Sequence, residues 1–386
     1  MVNACEVAEC ASGEHALRSR AMSSIWDHAN PQLRDLAVYE PGKPIEETAR
    51  ELGAEASSII KLASNENPLG PSPKARVAMR DAIECAHLYP DGGGYYVTHA
   101  LSTKLGVPAD HIILGNGSNE IIEFIGHAFL RPGAEIITPE HAFIAYKIVA
   151  KVFGARTVEV ATRDFQQDLE GILNAITPAT RAIFIANPNN PTGTSLAQEA
   201  IDAFMARVPD DVIVAFDEAY YEYVDSPPDT LKFVREGRNL IVLRTFSKIH
   251  GLATARLGYG IARPEIIQVL QKTREPFNVN GLAQAAAVAA LNDCEHQLET
   301  KRITDEGRKY LQEEFAEMDL PFVASAGNFV LVYVKDGGAV FRELLQRRII
   351  VRALKGYALP EWVRISVGTM EQNRACIAAL REVLKR

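Results

Sequence analysis

From residue 112 onward the chain alternates short, nearly unbroken apolar runs with longer stretches in which apolar residues recur at helical spacing. The runs are Ile112–Leu114, Glu135–Thr138, Thr157–Val160, Ala182–Ala186, Val212–Phe216, Leu240–Phe246 and Leu257–Ile261. Continuous apolarity, in place of strict alternation, marks strands buried on both faces. The stretches 118–130, 143–152, 168–176, 197–207 and 264–273 between them predict helices. Such alternation predicts an α/β fold, a mainly parallel seven-stranded sheet between layers of helices. After an Ala-rich helix over 281–291 and a charged helix near 295–317 the pattern changes. Strands at Phe329–Val334, Ile349–Leu354 and Val363–Val367, with helices at 339–347 and 371–385, predict a smaller second α/β domain.

Upstream of the sheet, residues 74–87 read as a helix, followed by the flexible connection Tyr89-Pro90-Asp91-Gly92-Gly93-Gly94. Before that lies an arm with Pro31, Tyr39, Pro41, Gly42 and Pro44, a Glu- and Ala-rich helix over 45–54, and a polar loop from Leu62 to Gly70. The start of the chain mixes Glu6, Glu9, Glu14 and His15 without the basic-then-apolar order of a signal peptide, and Met22 offers a second candidate start. The expected organisation is a flexible extension over 1–30, an arm over 31–64 joining the small domain, a large domain over 65–291 and a small domain over 292–386.

Composition narrows the functional classes. The 386 residues carry a formal charge of −8 and no basic run, which argues against a nucleic-acid binder. Cys5, Cys10, Cys85, Cys294 and Cys376 are scattered without C-x-x-C spacing, fitting neither a disulfide framework nor a zinc site, and a reducing cytoplasm is the expected location. The nine histidines form no H-x-x-x-H pattern, so no metal is expected. No apolar run approaches the ~18 residues of a membrane span.

Candidate chemistry concentrates where strands end, the edge at which open α/β sheets bind ligands. Leu240-Ile241-Val242-Leu243 runs into Arg244-Thr245-Phe246-Ser247-Lys248. Among desolvating neighbours Lys248 becomes a nucleophile, whereas in an open loop it is an ordinary solvated lysine. Gly115-Asn116-Gly117-Ser118-Asn119-Glu120 follows a strand and opens a helix, so it is an anion site or a plain helix cap. A dinucleotide fingerprint is a third alternative, opposed by Glu120 at the third glycine position. Two prolines and a glycine aim the asparagines of Asn187-Pro188-Asn189-Asn190-Pro191-Thr192-Gly193. Asp217 comes directly after five apolar residues and needs a cationic partner or hydrogen bonds, which a structural salt bridge also supplies. Arg256, Arg352 and Arg364 have the forked donors that suit phosphate or carboxylate, with surface positions equally open to them.

Taken in order, Ser64-Asn65-Glu66-Asn67-Pro68, Asn187 to Gly193, Asp217-Glu218-Ala219-Tyr220, Arg244 to Lys248 and Val363-Arg364-Ile365-Ser366-Val367-Gly368 resemble the fold-type I aminotransferases that use pyridoxal 5′-phosphate (PLP). Within that group they resemble the histidinol-phosphate aminotransferase family, from about Tyr39 to the C-terminus. The resemblance implies a PLP-dependent transferase fold, with Lys248 forming the internal aldimine and later moving the substrate's proton. Asp217 is implied as partner of the pyridinium nitrogen, and Asn190 and the catalytic Tyr220 as donors to the phenolic oxygen. Gly117, Ser118, Asn119, Thr245, Ser247 and Arg256 are implied around the phosphate, with Phe143 stacked on the ring. Tyr89 matches a tyrosine that reaches the neighbouring subunit's cofactor, which implies a homodimer with composite sites. Arg352 and Arg364 match the pair holding the substrate's anionic end, and Tyr39 matches an aromatic residue of the substrate pocket. Thr254-Ala255 departs from the family pattern, which bears on local packing more than on chemistry.

The implied reaction is ping-pong transamination between histidinol phosphate and 2-oxoglutarate, with glutamate as the other amino partner, in a cytoplasmic enzyme of histidine biosynthesis. Tyrosine and phenylalanine remain alternative donors, because an arginine that accepts phosphate also accepts carboxylate and the aromatic rings are alike in size. A PLP decarboxylase of the same fold, and a non-enzymatic protein that kept the scaffold, are the alternatives from other classes.

Overall fold

The computed structural model describes residues 24–38 and 42–385. Most of the expected N-terminal extension, and Tyr39, lie outside the described residues. In chain order the strands are β1 (Ile60–Lys61), β2 (Ile112–Gly115), β3 (Glu135–Pro139), β4 (Arg156–Val160), β5 (Thr180–Ala186), β6 (Ile213–Asp217), β7 (Leu240–Thr245), β8 (Gly258–Ala262), β9 (Phe322–Val323), β10 (Phe329–Tyr333), β11 (Ile349–Ile350), β12 (Arg352–Leu354) and β13 (Leu359–Ser366).

The main sheet has seven strands in the order β2-β8-β7-β6-β5-β3-β4. Strand β8 runs antiparallel to both its neighbours, while the remaining pairs are parallel. The reversal follows from the 246–257 connection, which contains no crossover helix and so returns the chain beside β7 in the opposite direction. Side chains alternate between two buried layers. Ile183, Ile185, Val214, Phe216, Leu240 and Val242 pack toward helices Tyr95–Leu105, Gln198–Met205 and Gly281–Leu291. Ala182, Phe184, Ile213, Ala215, Ile241 and Leu243 pack toward helices Ser118–Phe129, Ala145–Val152 and Pro264–Gln271. Two apolar faces per strand are why these runs read as continuous. The edge strand β4 is half-exposed and carries Arg156 and Glu159.

Toward the C-terminus an antiparallel sheet is ordered β12-β13-β10-β9, and β1 pairs in parallel with β11. Ile60 and Lys61, from the N-terminal arm, are thereby hydrogen-bonded beside Ile349 and Ile350. The single strand expected over 349–354 is instead split at Val351, whose side chain turns into the core, and its halves serve different sheets. Helix Tyr95–Leu105, which begins behind the left-handed Gly94 (φ 61), is not evident in the sequence pattern. Its first turns hold two tyrosines, a valine and a threonine, all weak helix formers.

Candidate active site

Three parallel strands end side by side, with Ala186 of β5 opposite Asp217 of β6, and Asp217 opposite Leu243 of β7. The segments beyond these ends enclose a cavity of about 260 Å³. It gathers Ser118, Asn119, Phe143, Asn190, Asp217, Tyr220, Thr245, Ser247, Lys248 and Arg256, residues spread over more than a third of the chain.

Lys248 lies just beyond the end of β7 at Thr245, and its Nζ donates to Ser64 O at 3.1 Å. Burial, then the nearby Arg364 charge, pushes its ammonium down to about 8, with Glu66 and Asp217 opposing. A neutral amine is therefore accessible near physiological pH. Asp217 is buried, and its Oδ2 accepts from Tyr146 Oη at 2.7 Å while Oδ1 accepts from the Ala219 N–H at 3.3 Å. Burial raises its pKa, and no ion pair with a cation is formed among the described residues. Tyr220 Oη accepts from Asn65 Nδ2 at 2.9 Å, and burial pushes its phenol up to about 12. Asn190 Oδ1 accepts from Arg364 Nη1, and Arg364 Nη2 donates to Ala63 O at 2.6 Å.

The opposite end of the cavity is built for an anion. Gly117 (φ 80) precedes helix Ser118–Phe129, whose first N–H groups lack intrahelical acceptors. A Cβ on Gly117 would lie 2.2 Å from Arg256 Nη2, and one on Gly258 would lie 2.2 Å from Ser118 N. Gly117 thus lets the guanidinium approach the helix start, and Gly258 lets the first residue of β8 pack against the same backbone. Arg256 Nη1 donates to Ser247 Oγ at 3.4 Å and to Ala253 O at 3.1 Å, and the Ser247 N–H donates to Thr245 Oγ1 at 3.1 Å. Asn119, on the same wall, donates from Nδ2 to Glu123.

Gly117, Tyr89, Arg352 and Arg364 are not among the residues that line this cavity, although Gly117 adjoins Ser118 and Arg364 reaches Asn190 on its wall. Tyr89 is 82% exposed and stacks on Phe277 with ring centroids 4.7 Å apart. Arg352 lies opposite Arg364 in the β12–β13 pairing and lines a separate groove of about 1070 Å³ with Lys43, Lys147 and Lys355. Tyr146 is a cavity residue that patterning does not announce. An aromatic side chain on the buried face of a helix looks the same whether it only packs or also donates.

Residues 57–380 match the family described as aminotransferase class I and II. The chain belongs to that family. It is a PLP-dependent aminotransferase. The histidinol-phosphate aminotransferase of Akkermansia muciniphila is 53% identical over 362 residues, covering 94% of this chain and 100% of that protein. Histidinol-phosphate aminotransferase 2 of Ralstonia nicotianae is 50% identical, covering 91% of this chain and 96% of that protein. The solved structure of histidinol-phosphate aminotransferase from Sinorhizobium meliloti in complex with pyridoxal-5′-phosphate aligns with a TM-score of 0.84 at 29% identity, covering 92% of this chain and 97% of that one.

The donor set of the cavity suits PLP. Guanidinium, hydroxyls and helix N–H groups could hold a phosphate, and a buried carboxylate without an ion pair among the described residues could hold a protonated ring nitrogen. The cavity also holds Lys248, whose ammonium burial brings down to about 8, so that it gives up its proton more readily than an ordinary lysine.

Proposed function

We propose that the chain is a histidinol-phosphate:2-oxoglutarate aminotransferase of histidine biosynthesis, working in the cytoplasm as a homodimer with composite active sites. The carrying observation is the cavity that gathers a desolvated Lys248, a buried Asp217 with hydrogen bonds but no ion pair among the described residues, and an anion cradle. Identity of 50–53% over nearly the whole length of relatives named for this activity supports the choice of substrate. No helix among the described residues is long and apolar enough to cross a membrane.

When bound, PLP supplies an electrophilic carbonyl and a ring that accepts the electrons left by a departing proton. Lys248 Nζ takes the proton from the substrate's Cα and returns it on the other side of the exchange. The Asp217 carboxylate holds the proton of the ring nitrogen, and Asn190 and Tyr220 donate to the phenolic oxygen. Gly117, Ser118, Asn119, Thr245, Ser247 and Arg256 bind the phosphate, with Tyr89 of the partner subunit reaching it too. Phe143 stacks on the ring. Arg352 and Arg364, with Tyr39, receive the substrate's anionic end and its ring. A large domain over 65–291 carries the cofactor, and a small domain over 292–386, joined by the arm, completes the substrate pocket.

Comparative kcat/KM on histidinol phosphate, tyrosine and phenylalanine, with 2-oxoglutarate as acceptor, tests the assignment. A preference for histidinol phosphate of about 100-fold, or about 2.7 kcal/mol, is expected. Equal or greater kcat/KM on tyrosine overturns the substrate, and release of carbon dioxide without keto-acid formation overturns the reaction.

A further inference from the structure

Asn65 sits in the loop that follows β1, only 1% exposed and in the left-handed backbone region at φ 54. Asparagine tolerates that region because its short amide can bond locally. Its backbone N–H donates to Ser366 Oγ at 2.8 Å, and Ser366 Oγ donates back to Asn65 Oδ1 at 2.8 Å. Its Nδ2 donates to Tyr220 Oη at 2.9 Å, and its carbonyl oxygen accepts from Asn328 Nδ2 at 3.0 Å.

These bonds have a direction. A hydroxyl carries one hydrogen, and Ser366 directs it to Asn65 Oδ1, its acceptor among the described residues, while the hydroxyl oxygen accepts from the Asn65 N–H. Turning the amide over would set a second N–H donor against Ser366 and leave the serine hydrogen without its acceptor. Nδ2 therefore faces Tyr220, the phenol oxygen accepts, and the phenol hydrogen is excluded from that side. Among the described residues no hydrogen bond takes that hydrogen, and Tyr220 lines the cavity.

We propose that Asn65 is a positioning residue, held by Ser366, that forces the Tyr220 hydroxyl to aim its proton into the cavity. Ser366 ends β13 and Asn328 precedes β10, so the C-terminal sheet sets the polarity of a donor attached to the main sheet. The role rests on the reading that Tyr220 donates to the cofactor's phenolic oxygen.

The experiment is a pH titration of the bound cofactor's visible absorbance in the holoenzyme, for wild type, Asn65→Gly, Tyr220→Phe and the double variant. Glycine keeps the left-handed backbone without strain. A donor to the phenolic oxygen favours its anionic form and lowers the apparent pKa of the cofactor. Tyr220→Phe is expected to raise that pKa by about one unit or more. Asn65→Gly is expected to raise it by part of that amount, and the double variant to match Tyr220→Phe alone. An unshifted Asn65→Gly titration, or a shift that persists in full on the Tyr220→Phe background, overturns the proposal. A Tyr220→Phe titration equal to wild type overturns the underlying reading instead. Should Asn65→Gly fail to retain cofactor, Ser366→Ala takes its place in the same cycle. Loss of the serine hydrogen frees the amide to turn and predicts an upward shift that vanishes beside Tyr220→Phe, and no shift overturns the proposal.

Discussion

Tyr146 Oη donates to Asp217 Oδ2 across 2.7 Å, and both side chains are buried. The bond ties helix Ala145–Val152 to the end of β6. The tyrosine ring is stacked on Phe184 of β5, with centroids 4.7 Å apart and planes 11° from parallel, which holds the hydroxyl in place. Burial, reinforced by the neighbouring carboxylate, drives its phenol well above the usual tyrosine range. The phenol therefore remains a donor throughout the working pH range, and it steadies a negative charge that desolvation otherwise disfavours.

Tyr146→Phe keeps the ring stacking and removes only that donor. A hydrogen bond to a charged group contributes about 1.5–3 kcal/mol, so the Kd for PLP is expected to rise by roughly 10- to 100-fold. Titration of the apo-enzyme with PLP measures it. A Kd within about twofold of wild type, inside the scatter of small hydrogen-bond effects, would show that Tyr146 only packs.

Strands such as Ile213–Asp217 are legible in the sequence because burial on both faces leaves an unbroken apolar run. Lys248 and Asp217 are legible as charges placed where such runs stop. Other features depend on information that one-dimensional pattern does not hold. The reversed direction of β8 comes from what its connection lacks, and the break at Val351 comes from a choice between two sheets. Asn65 reads as an ordinary polar turn residue until Ser366, 301 positions away, is seen to orient it. The motifs taken with a family resemblance supplied the cavity's remaining membership, whereas Tyr146 had to be found in three dimensions.

Beside the cavity, Glu218 and Arg244 form a buried ion pair in which Nε and Nη2 both reach Oε2 at 2.8 Å. Thr230 donates to the other carboxylate oxygen, and the guanidinium lies 3.6 Å from the centre of the Tyr221 ring. Removing Glu218 strips Arg244 of its hydrogen-bonded carboxylate and leaves Glu222 as the acid acting on it, so Glu218→Ala is expected to destabilise the apo-protein by about 3 kcal/mol, the low end for a broken buried pair. Replacing both with apolar residues, Glu218→Leu with Arg244→Met, is expected to cost less than Glu218→Ala alone. Urea denaturation compares them, and a double variant less stable than the single one contradicts this account.

Lys248 also marks the pH dependence of the apo-protein. Its folded pKa is depressed from 10.5 to about 8, chiefly by burial. Between those values the unfolded chain binds more protons, so stability rises with pH across that window, and below about 8 the full cost of burying the ammonium is present. Lys248→Met, which cannot charge, is expected to be the more stable protein at pH 7 by roughly 1–3 kcal/mol, discounted because part of the side chain meets solvent. That advantage should shrink toward pH 10.5, the ordinary lysine value. Denaturation of both proteins across the range decides it, and a gap independent of pH assigns the difference to packing. The same variant is expected to lose roughly 10⁴-fold or more in transamination.

Arg352 and Arg364 are opposite one another in the β12–β13 pairing, yet they stand in different surroundings. Arg364 is buried, with one nitrogen on Asn190 Oδ1 and another on Ala63 O, so its fork is set before any substrate arrives. Arg352 is half-buried in the wider groove, where Lys43 is paired with Glu47 and Glu51 and Lys147 with Glu159, while Lys355 and Lys151 add positive charge that favours the more highly charged ligand. A phosphate near pH 7 carries about −1.5 to −2, against −1 for a carboxylate. Arg352→Gln is therefore expected to raise KM for histidinol phosphate by roughly 10- to 100-fold, to raise KM for 2-oxoglutarate less, and to leave kcat nearly unchanged. Arg364→Lys should instead lower kcat as well, because a lysine cannot hold Asn190 and Ala63 together as the planar fork does. Steady-state kinetics with each substrate varied in turn separates the two patterns. A fall in kcat for Arg352→Gln with both KM values unmoved would remove Arg352 from the recognition of the anionic end.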